Sequence, residues 1–129
     1  MSGSLMDNDN KKTGGKENMT SKEEIIEEMN KFREKMMQEK YAKHFQGWNK
    51  TMQYYFTDRD EKYYIELVNG KPKEPKEGEI EKPEISYKMS TDTFLSLMNG
   101  EISGMKAYTS GKLKVKASMP DLMKLQKLN

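Results

Sequence analysis

Few residues of this chain have types and spacing that could do acid–base or metal chemistry. His44 is the single histidine and cysteine is absent, which removes thiol catalysis, thiolate metal sites and disulfides together. No placed nucleophile or paired acid surrounds His44, and a cation at a helix end suits the helix dipole. Asp58, Asp60 and Glu61 have the start of a calcium loop without its spacing or its later glutamate, so a hairpin turn accounts for them. Tyr54, Tyr55, Tyr63 and Tyr64 offer stacking faces but lack the interleaved basic residues of a nucleic-acid platform. They read as cross-strand pairs. The expectation is a protein without catalysis, metal, cofactor or nucleic-acid partner.

The remaining chemistry is apolar and cationic. Outside the first 19 residues the chain carries nine methionines, Met29, Met36, Met37, Met52, Met89, Met98, Met105, Met119 and Met123. Methionine is flexible and polarizable, suiting either a surface that repacks around variable apolar ligands or ordinary core filling. From Met105 onward there are six lysines against one acidic residue, Asp121. Such a lobe could meet an anionic membrane surface or hold an anionic headgroup. Lys112, Lys114 and Lys116 also read as a solvated face that guards a sheet edge.

The elements that must position these residues follow from length and pattern. At 129 residues with 33% apolar and 34% charged residues and a net charge of +2, the chain is expected to be one domain with one modest core. It has no apolar run long enough to span a bilayer and no signal-peptide pattern at its start. Residues 1–19 lack apolar periodicity and read as a disordered tail, part of it conceivably foreign to the natural chain, which leaves 20–129 as the domain.

Thr20 and Ser21 each stand three residues before a glutamate, the capping-box spacing, and Ile25, Met29, Phe32 and Met36 then share one face of a helix expected to run to about His44 or Phe45. Gly47 opens a strand in which Trp48, Met52, Tyr54 and Phe56 share a parity that Lys50 interrupts. Tyr63, Ile65 and Leu67 define the second strand of a hairpin, ended by Asn69-Gly70. Lys71 to Pro83, rich in proline, lysine and glutamate, reads as an exposed loop or poor edge strand. Ile85, Tyr87 and Met89 make another one-sided strand. Ser90 then caps a helix with a Met89 to Phe94 staple, continued by Leu97 and Met98 and stopped by Asn99-Gly100. Ile102 to Ser110 suits a short helix or a strand. Leu113, Val115 and Ala117 alternate with lysines in a strand from Gly111, and Ser118 starts an amphipathic helix bearing Leu122, Met123, Leu125 and Leu128. One-sided strands with interspersed helices give an α+β arrangement, a sheet covered on one face and wet on the other.

The run Met89-Ser90-Thr91-Asp92-Thr93-Phe94-Leu95-Ser96-Leu97-Met98-Asn99-Gly100, then Ala107-Tyr108, Gly111-Lys112-Leu113-Lys114-Val115 and Met123-Lys124-Leu125-Gln126, resembles the sterol carrier protein type 2 domain. The resemblance extends more weakly back to Ser21. It implies a five-stranded mixed sheet with helices on one face, enclosing an apolar tunnel for fatty acids, acyl-CoA, sterols or isoprenoid lipids. It also implies a short helix over Ile102 to Ser110 and a terminal helix acting as wall or lid. The chain departs from the family in its loop of Pro, Lys and Glu, which replaces a short apolar third strand, and in Lys116-Ala117-Ser118, where a glycine is more usual. It also lacks the small-basic-leucine terminus that addresses many relatives to peroxisomes.

The lining implied is Phe32, Met36, Met52, Tyr54, Phe56, Ile65, Leu67, Ile85, Tyr87, Met89, Phe94, Leu97, Met98, Met105, Tyr108, Leu113, Val115, Met119, Leu122, Met123 and Leu125. Lys106, Lys112 and Lys124 stand as headgroup or membrane contacts. The function implied is non-catalytic carriage or presentation of a lipid in the cytoplasm, with transient contact to anionic membranes. The alternative is an accessory or protein-interaction module of a larger assembly, and the sequence leaves the oligomeric state open.

Overall fold

The computed structural model describes residues 20–128, so the reading of residues 1–19 as a tail lies outside them. Helix α1 spans Lys22–Met36. Ser21 Oγ accepts the Glu24 amide at 3.1 Å while Glu24 Oε1 accepts the Ser21 amide at 2.9 Å, so Ser21 is the residue that realises the capping box. Ile25, Met29 and Met36 are buried. The helix does not continue to His44 or Phe45 as expected. Gln38 is extended, with φ −62° and ψ 144°, and a single turn, α2 (Glu39–Ala42), restarts beyond it. The break turns Phe45, at 0% exposure, and Trp48 into the core with their rings 5.1 Å apart. Burying a phenyl ring gains about 2–3 kcal/mol, more than a few residues of helix propensity supply.

Strands β1 (Lys50–Phe56) and β2 (Glu61–Val68) form the antiparallel hairpin. The segment read as loop or poor edge contributes two short strands, β3 (Lys71–Pro72) and β4 (Lys76–Glu77), both paired to β2. Strand β5 (Ile85–Met89) runs parallel to β1, and β6 (Lys114–Lys116) antiparallel to β5. The order is β3-β2-β1-β5-β6 with β4 beside β2. The expected five strands are thus five positions filled by six strands, the β2 edge being shared by two fragments. Their separation follows from Pro72 and Pro75, which have no amide to donate to a ladder.

The face opposite α1 is not wholly wet. Gln53 is 5% exposed; its Nε2 donates to the Tyr63 and Gly78 carbonyls at 2.8 and 3.0 Å, and its Oε1 accepts the Ile80 amide at 2.8 Å. One amide side chain thereby ties the proline-rich loop to the sheet. At the hairpin's other end Gly70 has φ +77°, and a Cβ there would overlap the Phe45 carbonyl.

Helix α3 (Thr91–Met98) is capped by Ser90, and Asp58 Oδ1 accepts the Thr91 amide and hydroxyl at 2.8 and 3.0 Å. Asp58 therefore works as a helix-end acceptor. Helix α4 (Gly104–Thr109) occupies the segment that pattern left open. The strand expected from Gly111 to Ala117 is shorter because the Lys112 and Leu113 amides bond the Ala107 carbonyl at 2.9 and 3.0 Å, closing α4 instead of pairing in the sheet. Ser118 caps α5 (Met119–Leu125), and a final 3-10 turn over Gln126–Leu128 buries Leu128. The Leu128 carbonyl accepts Lys35 Nζ from α1. No helix among the described residues is long and apolar enough to cross a membrane.

Candidate functional site

Strand register builds the helix-covered face of the sheet in rows. Met52 stands between Ile65 and Ile85, all three at 0% exposure. In the next row Tyr54 lies between Tyr63 and Tyr87, and Tyr87 faces Val115. Above it Phe56 pairs with Met89 across the parallel ladder. Period-two alternation sets all of these side chains on one face, and Phe94 of α3 packs onto them. Its ring is 5.0 Å from Phe56 and 6.2 Å from Tyr54; Phe56 is 5.6 Å from Tyr63. The Tyr54 and Tyr87 rings stack at 4.9 Å.

Of the residues expected to line a tunnel, Met36, Met52, Tyr54, Phe56, Ile65, Leu67, Ile85, Met89, Phe94 and Leu113 are buried. Phe32, Tyr87, Leu97, Met98, Val115, Leu122 and Leu125 are half-buried. Met105, Tyr108, Met119 and Met123 are exposed, by 47%, 48%, 67% and 61%, so the outer faces of α4 and α5 are apolar toward solvent. Lys106 and Lys112 are exposed near them, whereas the half-buried Lys124 holds its ammonium 5.9 Å over the Phe45 ring. Phe45, Trp48, Tyr63, Ala107 and Leu128 also belong to the buried cluster. The alternation of β2 had already pointed Tyr63 inward, while Phe45 gave no signal, since the periodicity of the first helix ran through it.

Electrostatics single out one pair on this face. Lys50 shares the parity of Met52 and Tyr54, and its Nζ lies 3.3 Å from Asp121 Oδ2 in the first turn of α5. Asp121 is 5% exposed and its amide donates to Ser118 Oγ. Lys50 thus interrupts the apolar stripe in order to hold the terminal helix. Burial pushes the Tyr54 and Tyr87 phenols well up from their ordinary value, and burial together with a hydrogen bond to Glu61 does the same to Tyr63.

A trough of about 600 Å³ runs along α1, lined by Lys22, Glu23, Ile26, Glu27, Asn30, Lys31, Glu34, Tyr63 and Glu77. Its charged walls and open shape differ from an enclosed apolar tunnel. Among the described residues no group of three His, Asp or Glu side chains could hold a metal.

A mixed sheet with helices over one aromatic face, closed by a short terminal helix, defines the α+β class of sterol carrier folds. The SCP-2 sterol transfer family matches residues 29–129, and the chain belongs to that family. The fold is similar to that of sterol carrier protein 2 like 2 from Aedes aegypti, with a TM-score of 0.62 and 11% identity over 81% of this chain and 95% of that one. A solution structure of palmitated SCP2L2 from the same mosquito gives 0.51 and 16%, over 62% and 71%. A sec-alkylsulfatase from Pseudomonas sp., Pisa1, gives 0.56 and 18% over 67% of this chain. This chain spans only 14% of the sulfatase's length. No curated protein matches the chain by sequence.

Proposed function

We propose that this chain binds a long apolar ligand between the aromatic face of its sheet and the helices over it, and carries or presents that ligand without catalysing a reaction on it. Membership of the SCP-2 sterol transfer family over residues 29–129 carries the reading. Flexible Met52 and Met89 in the buried cluster and Met98 packed against it supply an interior that can repack around a chain. The ligand class is fatty acid, acyl-CoA, sterol-like or isoprenoid lipid. At about 0.8 kcal/mol per buried methylene, a long acyl chain gains on the order of 10 kcal/mol before association costs. That gain can offset opening a packed interior. A reducing cytoplasmic setting fits the lack of cysteine. Fluorescent fatty-acid and sterol probes test the reading: saturable binding at one site per chain supports it, and no binding of either overturns it. Acyl-CoA recovered unaltered after prolonged incubation supports carriage, and turnover contradicts it.

A second reading is favoured by the exposed Met105, Tyr108, Met119 and Met123: α4 and α5 dock on a partner as part of a larger assembly. A persistent oligomer with no bound lipid would favour it. The exposed Lys106 and Lys112 beside these residues fit transient contact with anionic membranes, which faster ligand transfer to anionic than to neutral vesicles at low salt would support.

A further inference from the structure

Three tyrosines stand in one register row across the covered face: Tyr63, Tyr54 and Tyr87. The first is satisfied, its hydroxyl donating to Glu61 Oε1 at 3.0 Å. Tyr54 and Tyr87 stack with ring centroids 4.9 Å apart and planes inclined by 29°, yet no hydrogen bond among the described residues engages either hydroxyl. Nor are those oxygens sealed. The sealed polar atoms without a partner among the described residues are Glu28 Oε1 and His44 Nε2, and neither phenol oxygen is one of them. Tyr54 is nevertheless only 5% exposed. A position used for packing alone is served by phenylalanine, as Phe56 and Phe94 serve beside it.

We propose that Tyr54 and Tyr87 together hold the polar end of the lipid, as a two-hydroxyl site for an uncharged oxygen such as an alcohol or an ester carbonyl. The proposal rests on the lipid-binding reading and adds the ligand's headgroup class to it. The lysines of β5 and β6, Lys88, Lys114 and Lys116, alternate onto the opposite face from Tyr87 and Val115. Among the described strand residues the cation on this face, Lys50, is already paired with Asp121, and Lys124 of α5 holds its ammonium over the Phe45 ring. Two neutral phenols can bond an oxygen but supply no positive charge to balance a carboxylate. The rings give the rest of the ligand an apolar bed.

Displacement of diphenylhexatriene, a hydrocarbon probe, tests this on the full chain. Hexadecanol should displace it from the wild type more tightly than palmitate does at neutral pH. In the double variant Tyr54→Phe, Tyr87→Phe the ratio of hexadecanol affinity to hydrocarbon affinity should fall about tenfold from the wild-type ratio, the equivalent of two modest hydrogen bonds. An unchanged ratio in the variant, or palmitate binding more tightly than hexadecanol, would overturn the proposal while the lipid reading stands. Failure of hydrocarbon, alcohol and palmitate alike to bind the wild type would overturn both. If the double variant fails to fold, each single Phe variant reads the same affinity difference.

Discussion

Lys50 of the first strand and Asp121 of the terminal helix form an ion pair with Nζ 3.3 Å from Oδ2 on the covered face of the sheet. The aspartate is almost wholly enclosed, and its partner is partly open to solvent. Removing Asp121 takes away the contact that holds α5 to β1 and leaves Lys50 only partly solvated, a smaller cost than stranding a fully buried charge. Asp121→Ala should lower stability by about 1–3 kcal/mol. In hydrogen exchange the α5 amides should open before the sheet does. Equal exchange in variant and wild type would mean that α5 is held by Leu125 and Leu128 alone.

Gly70 is a steric requirement. Its φ of +77° and the Phe45 carbonyl against it leave no room for a side chain. Gly70→Ala should destabilise by more than about 2 kcal/mol, combining left-handed strain with displacement of a core ring. Urea midpoints of the two proteins check it. Gly100→Ala is the control, because that glycine has φ +77° with open space around it, and it should cost about 1–2 kcal/mol.

Gln53→Leu keeps the volume and removes three hydrogen bonds. The Gly78 carbonyl and Ile80 amide lose their partner, so the loop should detach at a cost of about 1–3 kcal/mol. Limited proteolysis between Pro75 and Pro83 should accelerate in the variant. Unchanged cleavage would mean that β4 alone pins the loop.

The buried phenols predict alkaline sensitivity. Tyr54, Tyr63 and Tyr87 have folded pKa values raised above the ordinary 10.0. Below pH 10 both states are protonated and their contribution to stability is fully present. Above it the unfolded chain releases protons that the folded one retains, so stability falls as pH rises. Each such tyrosine contributes a slope of up to about 1.4 kcal/mol per pH unit. The urea midpoint should drop steeply between pH 10 and 11.5 in wild type and less steeply in Tyr54→Phe, with tyrosinate absorbance appearing on unfolding. Identical slopes would show that Tyr54 ionises freely in the folded protein.

What the sequence made legible were features whose cause is local. Ser21, Ser90 and Ser118 each stand where a helix amide needs an acceptor, and each cap is present. The alternation of Tyr63, Ile65 and Leu67 fixed the covered face of β2 because side-chain period in a strand is two. The helix break at Gln38 was not legible, because residues 37–44 are good helix formers and only the burial of Phe45 decides against them. Gln53 looked like any solvated polar residue until the loop lay on it. Lys50 was visible as an interruption of parity, but its explanation, Asp121, needs the tertiary fold. For the candidate site, the inward parity of Tyr54 and Tyr87 was readable. That their hydroxyls find no partner among the described residues while that of Tyr63 does was beyond reach of pattern, since it depends on Glu61 turning back.

Native mass spectrometry of the freshly purified chain, with solvent extraction of whatever it releases, tests the central claim most directly. The account predicts one stoichiometric lipid per chain, and an alcohol or ester among the released species. A chain that flies at its bare mass, releases nothing and binds neither fatty-acid nor sterol probes would contradict it, and would leave the apolar faces of α4 and α5 as a surface for a protein partner.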